Sequence, residues 1–159
     1  MKVGDAYAKN LIKQYHFWDL FVSPKQRYLG RMYAWWRDRS EGEGENMAFD
    51  EIPDEALLEL KRIWRDTVRC CRMLGYKTDP YGPSFKLNTS YLANERQHHN
   101  GHMHIHFYPR TAENFVSPAL GVTTMDENFE KPPLSGGDRY LEEEEMATLR
   151  RLCMLYAIA

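Results

Sequence analysis

The sequence lacks any long apolar run. No stretch of its 159 residues approaches the roughly 20 apolar residues that a membrane-spanning helix needs. The N-terminal segment contains no apolar core followed by a small-residue cleavage site, which would mark a secretory signal. Hydrophobic residues still make up 43% of the chain, enough to fill one core. We therefore expect a soluble, unexported protein that folds as a single domain over residues 1–159.

The net charge is small, and cysteine is scarce. The formal net charge is −2, so the chain has no global basic footprint for nucleic acid or for an anionic membrane. Its three cysteines are Cys70, Cys71 and Cys153, and they form no Cys-x-x-Cys pair. This usage argues against a disulfide framework and against a cysteine zinc site. We expect three reduced thiols in the core and a cytoplasmic location.

Histidine, by contrast, is concentrated in one place. Five of the six histidines lie within one short stretch, and they are His98, His99, His102, His104 and His106. If this stretch is a β-strand, the last three share one face, while Met103, Ile105 and Phe107 share the other. Imidazole can act as base, acid, nucleophile or metal ligand. The row therefore predicts a reactive or ligating surface, and the plain alternative is an edge strand with a solvated polar face.

The hydrophobic pattern predicts an α+β domain. Strands are expected over His16–Val22 and Arg31–Trp36, and through Phe85, Leu87 and Thr89. A long helix is expected between Pro53 and Gly75, and a second amphipathic helix over residues 141–158. Two segments rich in glycine, proline or acidic residues are expected to be loops, a mobile one over Ser40–Asn46 and a long irregular one over residues 117–139.

The long helix carries an apolar stripe that we expect to face the core. Its members recur at helical spacing, and they are Leu57, Leu60, Trp64, Val68, Cys71 and Leu74. The four tryptophans Trp18, Trp35, Trp36 and Trp64 are candidates for a base-stacking surface, but aromatic residues in strands and helices are far more often core. We therefore expect Trp64 in particular to be buried.

Two chemistries use three histidines on one strand. Alternate histidines can converge on a zinc ion, but such sites usually include carboxylate or cysteine partners, and only Glu95 is close by in sequence. In the other chemistry, one imidazole attacks phosphorus while its neighbours orient it and bind phosphate oxygens. His104 suits this role because it has an imidazole on either side. The product of attack would be a phosphoramidate, which water cleaves in a second step.

The residues around the row resemble a known family. The segment from His102 to Arg110 resembles the histidine-triad (HIT) signature, His-φ-His-φ-His-φ-φ, followed by the Pro-Arg that often closes it. Upstream, Lys86-Leu87-Asn88 and Leu92-Ala93-Asn94-Glu95 resemble that family's stretch before the triad, and Gln26–Arg31 resembles its strand-opening segment. The likeness spans about residues 16–115, with Leu57–Leu74 as the long family helix.

The resemblance implies both a fold and an activity. The fold would be a five-stranded antiparallel sheet with one long helix and a C-terminal helix, commonly paired as a homodimer. The activity would be that of a hydrolase or nucleotidyltransferase that cleaves at the α-phosphate of a dinucleoside polyphosphate or nucleoside phosphoramidate, without a metal or cofactor. His104 would be the nucleophile, oriented by His102 and His106. The candidates for substrate or phosphate contact are Asn88, Asn94, Gln97, His98, His99 and Arg110.

Two departures from the family pattern leave other functions open. The basic segment that often follows the second strand and ends in histidine is Trp36-Arg37-Asp38-Arg39 here, so that histidine is missing. The connection before the triad, Arg96–Gly101, is longer than usual, and His98 and His99 are either phosphate ligands or ordinary loop residues. The alternatives are a nucleotide-binding module with little turnover, and a zinc-binding protein that uses the clustered histidines.

Overall fold

The structure is a computed structural model, and it describes residues 8–45, 47–77, 85–91, 102–127, 129–132 and 139–157. Within these ranges the chain forms the strands β1 (Leu11–Gln14), β2 (Trp18–Val22), β3 (Met32–Trp36), β4 (Phe85–Tyr91) and β5 (His104–Thr111). The helices are α1 (Asp54–Leu74) and α2 (Glu143–Ala157), and a short 3₁₀ turn, Phe49–Glu51, precedes α1. The order of strands and helices agrees with the sequence prediction except for β1.

The five strands form one antiparallel sheet in the order β1-β2-β3-β5-β4. The histidine strand β5 is therefore an interior strand, with β3 on one side and β4 on the other. In this register Trp35 of β3 lies opposite His104, and Tyr33 lies opposite His106. The predicted α+β fold with a five-stranded antiparallel sheet is confirmed, whereas the plain alternative of an edge strand for the histidines is wrong.

The two faces of the sheet differ in chemistry because side chains alternate along each strand. The face toward α1 is apolar and belongs to the hydrophobic core, with Leu20, Ala34, Ile105 and Phe107 among its members. The opposite face carries aromatic and histidine side chains, namely Tyr33, Trp35, His104 and His106. One strand thus contributes to the core with one set of side chains and to a polar site with the other.

Helix α1 has the predicted extent. Gly75 ends it in the left-handed region at φ 115°, and a side chain there would also meet the Phe115 ring at 2.7 Å. At the other end, Glu59 accepts hydrogen bonds from the backbone N–H groups of Phe17 and Trp18 at 2.8 and 3.2 Å, which ties the helix to the sheet.

The buried face of α1 differs from the predicted stripe. Its buried residues are Ala56, Ile63, Asp66, Thr67, Val68, Cys70, Cys71 and Leu74. Trp64 is 41% exposed, so the prediction that it lies in the core is wrong. The reason is that α1 has two adjacent apolar stripes, and the one that contains Leu57, Leu60 and Trp64 lines a groove beside the sheet.

Helix α2 packs on α1 and β1 and is linked to α1 covalently. Cys153 of α2 forms a disulfide with Cys70 of α1, with their Cα atoms 5.2 Å apart. The prediction of three reduced thiols is therefore wrong for this pair, because helix packing joins cysteines that are 83 residues apart in sequence. Cys71 is a free buried cysteine, and burial raises the pKa of its thiol.

Strand β1 has no clear sequence signal because its four residues show no clean alternation of apolar and polar side chains. It forms through its partners: Leu11 lies opposite Phe21 in β2, and the Lys13 ammonium donates to the backbone oxygen of Ala157 at 2.6 Å. No helix in the described part of the chain is long and apolar enough to cross a membrane.

Candidate active site

The histidine row begins just before β5 and continues into its first half. His104 and His106 lie in the strand, while His102 precedes it and forms an isolated antiparallel bridge with Glu45. The three residues are buried, with 1% of His102, 3% of His104 and 7% of His106 exposed. The structure therefore brings together the three residues that the sequence proposes as catalytic.

His104 is oriented through its Nδ1 atom, which lies 2.6 Å from the backbone oxygen of His102. A carbonyl oxygen can only accept a hydrogen bond, so in the neutral ring Nδ1 carries the proton and Nε2 keeps its lone pair. The ring of His106 contacts the ring of His104 edge to face, with centroids 4.8 Å apart. The arrangement gives His104 the tautomer that a nucleophile attacking through Nε2 needs.

His102 presents its backbone, not its ring, to the nucleophile. Its Nε2 donates to the backbone oxygen of Trp36 at 2.8 Å, and its ring stacks on the Trp35 indole at 4.3 Å and 10°. The Asp38 carboxylate lies 3.8 Å from the same Nε2. These contacts fix the ring of His102, and the carbonyl group of the same residue fixes His104.

The acidic, glycine-rich loop lies directly against His102. Gly44 N–H donates to Asp38 Oδ1 at 2.8 Å, and Met103 N–H donates to Gly44 O at 2.8 Å. The Trp36 indole N–H also donates to Glu43 at 2.8 Å. Residues 40–45 are therefore an ordered turn, whereas the composition of Ser40–Asn46 predicts a mobile loop, because these hydrogen bonds leave no trace in composition.

Aromatic rings extend the histidine face across β3 and β2. Trp35 lies 5.7 Å from His104 and Tyr33 lies 6.1 Å from His106, measured between ring centroids. Phe21 of β2 stacks on Tyr33 at 5.2 Å and 14°. Trp35 and Tyr33 are partly exposed. They form a flat aromatic surface of the kind on which nucleic-acid bases stack.

Charged groups lie at two sides of this face. Asp19, opposite Trp35 in β2, is buried, and burial raises the pKa of its carboxyl, although Arg37 at 3.4 Å opposes the shift. At the other side, the Arg31 guanidinium lies 4.7 Å from the centre of the Tyr108 ring and donates to its hydroxyl at 3.3 Å. The face therefore has the Asp19–Arg37 pair at one side and the Arg31 guanidinium at the other.

Arg110, proposed from the sequence as a phosphate contact, is engaged elsewhere. Its guanidinium donates to both carboxylate oxygens of Asp126 at 2.9 and 3.0 Å, and to the backbone oxygen of Lys131 at 2.8 Å. It also lies 4.8 Å from the centre of the Tyr28 ring. The side chains of Arg110 and Asp126 are 0% and 2% exposed, so the pair is part of the interior.

The other proposed contact residues are only partly located. Asn88 lies in β4 opposite Tyr108 of β5, in a strand that pairs with β5 from Ile105 to Thr111. Asn94, Gln97, His98 and His99 lie outside the residues that the structure describes.

Sequence reasoning missed Asp38 and Gly44 as parts of the site, and it favoured the core over a base-stacking role for Trp35. No local motif identifies them, because Asp38 sits in a basic segment and Gly44 in an acidic one. Only Trp35 could have been located from the sequence. Side chains alternate along β3, so Trp35 lies on the face opposite Ala34 once Ala34 is known to face the core.

Comparison with known proteins shows which fold carries this histidine row. In sequence, the chain matches no protein-family model and no curated protein. In structure, it is similar to a zinc-bound histidine triad family protein from Mycobacterium smegmatis, with a TM-score of 0.56 and 13% identity over 93% of this chain and 83% of that chain. The fold is that of the histidine-triad proteins.

Another similar structure is that of the uncharacterized protein LPG0439. Its TM-score is 0.55, at 13% identity over 94% of this chain and 75% of that chain. Identities this low show the histidine-triad fold alone, so the chemistry must be argued from the residues of the site.

The first of these relatives binds zinc, so the residues here must be tested for the same ability. Within the described ranges, no group of three histidine, cysteine, aspartate or glutamate side chains is placed to hold a metal ion. The described part of this histidine-triad fold does not fit a zinc site.

Proposed function

We propose that the protein is a hydrolase or nucleotidyltransferase that cleaves nucleotide conjugates at the α-phosphate through a covalent intermediate on His104. The observation that carries this proposal is the 2.6 Å contact between His104 Nδ1 and the backbone oxygen of His102. A nucleophilic imidazole needs one nitrogen that is not protonated and a neighbour that holds the other nitrogen in place. The contact with the backbone oxygen of His102 holds Nδ1 in place. Because Nδ1 then carries the proton in the neutral ring, Nε2 is the unprotonated nitrogen.

The reaction would proceed in two displacements. The lone pair of His104 Nε2 attacks the α-phosphorus, a nitrogen–phosphorus bond forms, and the bond from phosphorus to the leaving group breaks with its electron pair. Water then attacks the phosphoramidate, which releases a nucleoside monophosphate and restores the imidazole; a second acceptor in place of water would give transfer. Such reactions depend mainly on positioning and on groups that stabilise charge on the phosphoryl oxygens.

His106 and His102 take different parts in this proposal. His106 is next to the nucleophile on its own strand, with ring centroids 4.8 Å apart, so it is within reach of an oxygen on the same phosphorus. His102 is 1% exposed behind Trp35 and acts through its carbonyl group. We therefore assign phosphate contact to His106 and orientation of the nucleophile to His102.

The substrate class follows from the aromatic surface and the nucleophile together. Trp35 and Tyr33 give a partly exposed surface for a base beside His104 and His106. Dinucleoside polyphosphates and nucleoside phosphoramidates combine a base with a cleavable α-phosphate. The candidate contacts to the ribose and phosphates stay Asn88, Asn94, Gln97, His98 and His99. Arg110 is no longer a candidate, because its guanidinium is buried and paired with Asp126.

The experiment is a substrate panel read by release of AMP. Diadenosine polyphosphates, adenosine phosphoramidate and aminoacyl adenylates are each offered with and without a chelator. We expect turnover that the chelator does not reduce, abolished by His104→Ala and lowered about 10²–10⁴-fold by His106→Ala. His16→Ala is the matched control because His16 is exposed and lies outside the site. Full activity in His104→Ala would refute the nucleophile assignment.

Two other readings have distinct outcomes in the same panel. A nucleotide-binding module would bind AMP tightly and release none from any substrate. A zinc protein would lose its activity or its fold in the chelator. The lack of convergent ligands among the described residues is the reason that zinc is not our proposal.

The sequence predicts a cytoplasmic location partly because it predicts three reduced thiols. The disulfide between Cys70 and Cys153 removes that argument for the location.

We also propose that the protein is a homodimer paired through α1. A groove of about 570 Å³ lies on the helix side of the sheet, with Ile105 and Phe107 in its wall. Trp64 and Phe49 line it and are 41% and 49% exposed, which is a large apolar surface to leave in water. The first turn of α1 is acidic, whereas Lys61 and Arg65 beside the groove are basic.

A second copy of α1, antiparallel to the first, would match these charges and cover the apolar surface. We expect wild-type protein to have twice the mass of the chain in light scattering, and Trp64→Glu to have the mass of one chain. Leu155→Glu is the control, since Leu155 is 67% exposed on α2, away from the groove. A wild-type protein that stays monomeric at high concentration would contradict the pairing.

A further inference from the structure

The turn from Asp38 to Glu45, which we call the 38–45 clamp, lies along the chain that leads into the histidine strand. Glu45 pairs with His102 in an antiparallel bridge, and Gly44 O accepts from Met103 N–H at 2.8 Å. The clamp closes on itself where Gly44 N–H donates to Asp38 Oδ1 at 2.8 Å. Two consecutive residues before the nucleophile are therefore tied to the clamp by backbone contacts.

The ring of His102 fills the space between the clamp and Trp35. The indole covers one side of the imidazole at 4.3 Å, nearly parallel. On the clamp side, a Cβ atom added to Gly44 would lie 2.5 Å from His102 Cε1, 2.7 Å from His102 Nε2 and 2.9 Å from Asp38 Oδ1. Only a residue without a side chain fits there, and the φ of Gly44 is not in the left-handed region, so the requirement is one of space alone.

The carboxylate of Asp38 holds the clamp in this position. It accepts the Gly44 hydrogen bond and lies 3.8 Å from His102 Nε2. Burial alone would raise the pKa of Asp38, but hydrogen bonds to the carboxylate, the one from Gly44 among them, outweigh burial and lower the pKa. The group is therefore a carboxylate at neutral pH, as an acceptor for an N–H group should be.

We propose that the 38–45 clamp positions the nucleophile: Gly44 and Asp38 fix the ring of His102, and the carbonyl of His102 fixes Nδ1 of His104. Gly44 and Asp38 are thus positioning residues, since they act through His102 and need no contact with substrate. The proposal rests on the proposed function for its effect on turnover, but the placement of His102 can be measured without any substrate.

The size of the effect follows from the space at Gly44. Ordinary contacts of a Cβ atom begin at 3.4 Å, and the added carbon would lie at 2.5 Å, so the ring or the clamp must move by about 1 Å. The stacked Trp35 indole hinders displacement of the ring, so we expect part of the movement to reach the backbone of His102. A misplacement of about 1 Å at a reacting group can cost about 10²-fold in rate. We expect Gly44→Ala to lower kcat about 10²-fold and to leave KM near its wild-type value.

Gly42→Ala is the matched control in the same turn. Gly42 has φ 73°, so alanine strains the turn, but the nearest neighbour of the added carbon is Glu45 Oε2 at 3.8 Å and His102 is not touched. We expect this variant to lose some stability and to lower kcat far less than Gly44→Ala does. Equal losses of kcat in both variants would show that any strain in the turn lowers activity, and would overturn the specific role of Gly44.

A double-mutant cycle tests whether Gly44 acts through the ring of His102. When His102→Ala has already removed the ring, adding Gly44→Ala should cost much less activity than it does in the wild type, because only the contact with Asp38 Oδ1 at 2.9 Å remains, so the two effects should not add. Additive losses would overturn the proposal. Asp38→Ala should also lower kcat without changing KM, and Asp38→Asn, which keeps an acceptor for Gly44 N–H, should restore most of the loss.

The ring position is read directly by NMR of histidine-labelled protein without substrate. In the wild type, the stacked indole should shift the His102 ring protons upfield, and Gly44→Ala should remove much of that shift while Gly42→Ala keeps it. An unchanged shift in Gly44→Ala would overturn the clamp. If the shift moves as expected while no substrate is turned over by the wild type, the proposed function fails and the positioning of His102 stands.

Discussion

Replacing Asp126 with alanine would leave the guanidinium of Arg110 buried without its carboxylate. In the structure Asp126 accepts two hydrogen bonds from Arg110, and a third at 2.9 Å from the backbone N–H of Thr111 at the end of β5. The two side chains are 0% and 2% exposed, so water cannot replace the lost partner. Removing one member of such a buried pair typically costs about 3–5 kcal/mol.

This loss converts into a measurable change in melting temperature. For a chain of this size, each kcal/mol lowers the Tm by about 2–4 °C, so Asp126→Ala should melt about 6–20 °C below the wild type. Calorimetry and urea unfolding at neutral pH would measure both quantities. The double variant Arg110→Met with Asp126→Leu removes both charges and should recover most of the loss, because no uncompensated charge remains.

The same double variant separates a structural role from a substrate-binding one. If Arg110 contacts phosphate, the folded double variant should bind nucleotide much more weakly than the wild type. We expect its KM and its affinity for AMP to stay close to the wild-type values, because the pair lies in the interior. A change below about 1 kcal/mol in Asp126→Ala, the value typical of an exposed ion pair, would refute the reasoning.

Two further substitutions test buried polar groups. Burial raises the pKa of Asp19, so its charge opposes folding at neutral pH, and Asp19→Asn should raise the Tm at pH 7. That gain in Tm should shrink as the pH falls through the folded-state pKa of Asp19, where the wild-type side chain also becomes neutral. A gain in Tm that does not depend on pH would show that the buried charge is not its cause. Asp50→Asn is the control and should not raise the Tm, because Asp50 is exposed. Tyr15→Phe removes a 2.5 Å hydrogen bond to the buried carboxylate of Asp66 and should cost about 1–3 kcal/mol in urea unfolding. A cost within error of zero would show that water or another donor reaches Asp66.

The features that the sequence predicts well are those with a local cause. Alternation along residues 102–107 predicts both faces of β5, because side chains repeat every second residue whatever the partners are. Helix α1 ends at Gly75 because the left-handed backbone there suits glycine. The five-stranded sheet came from the resemblance of the triad and its flanking residues, and the structural comparison confirms it.

The features that the sequence missed depend on partners far away in the chain. Trp64 has the spacing of a core residue, yet α1 places a neighbouring stripe against the sheet and leaves Trp64 41% exposed. The Cys70–Cys153 pair appears only when α1 and α2 pack. Gly44 gives no local sign that it touches His102, because the contact depends on how the turn folds back on the strand.

The central claim is that His104 becomes covalently bound to a nucleotide during turnover. The direct measurement mixes the protein with a dinucleoside polyphosphate, quenches in alkali on the millisecond scale, and locates the added nucleotidyl group by peptide mass spectrometry. We predict one nucleotidyl group per chain, attached to His104 and to no other histidine, that forms and decays at rates compatible with turnover. Turnover without any adduct, or an adduct on a different residue, would contradict the account.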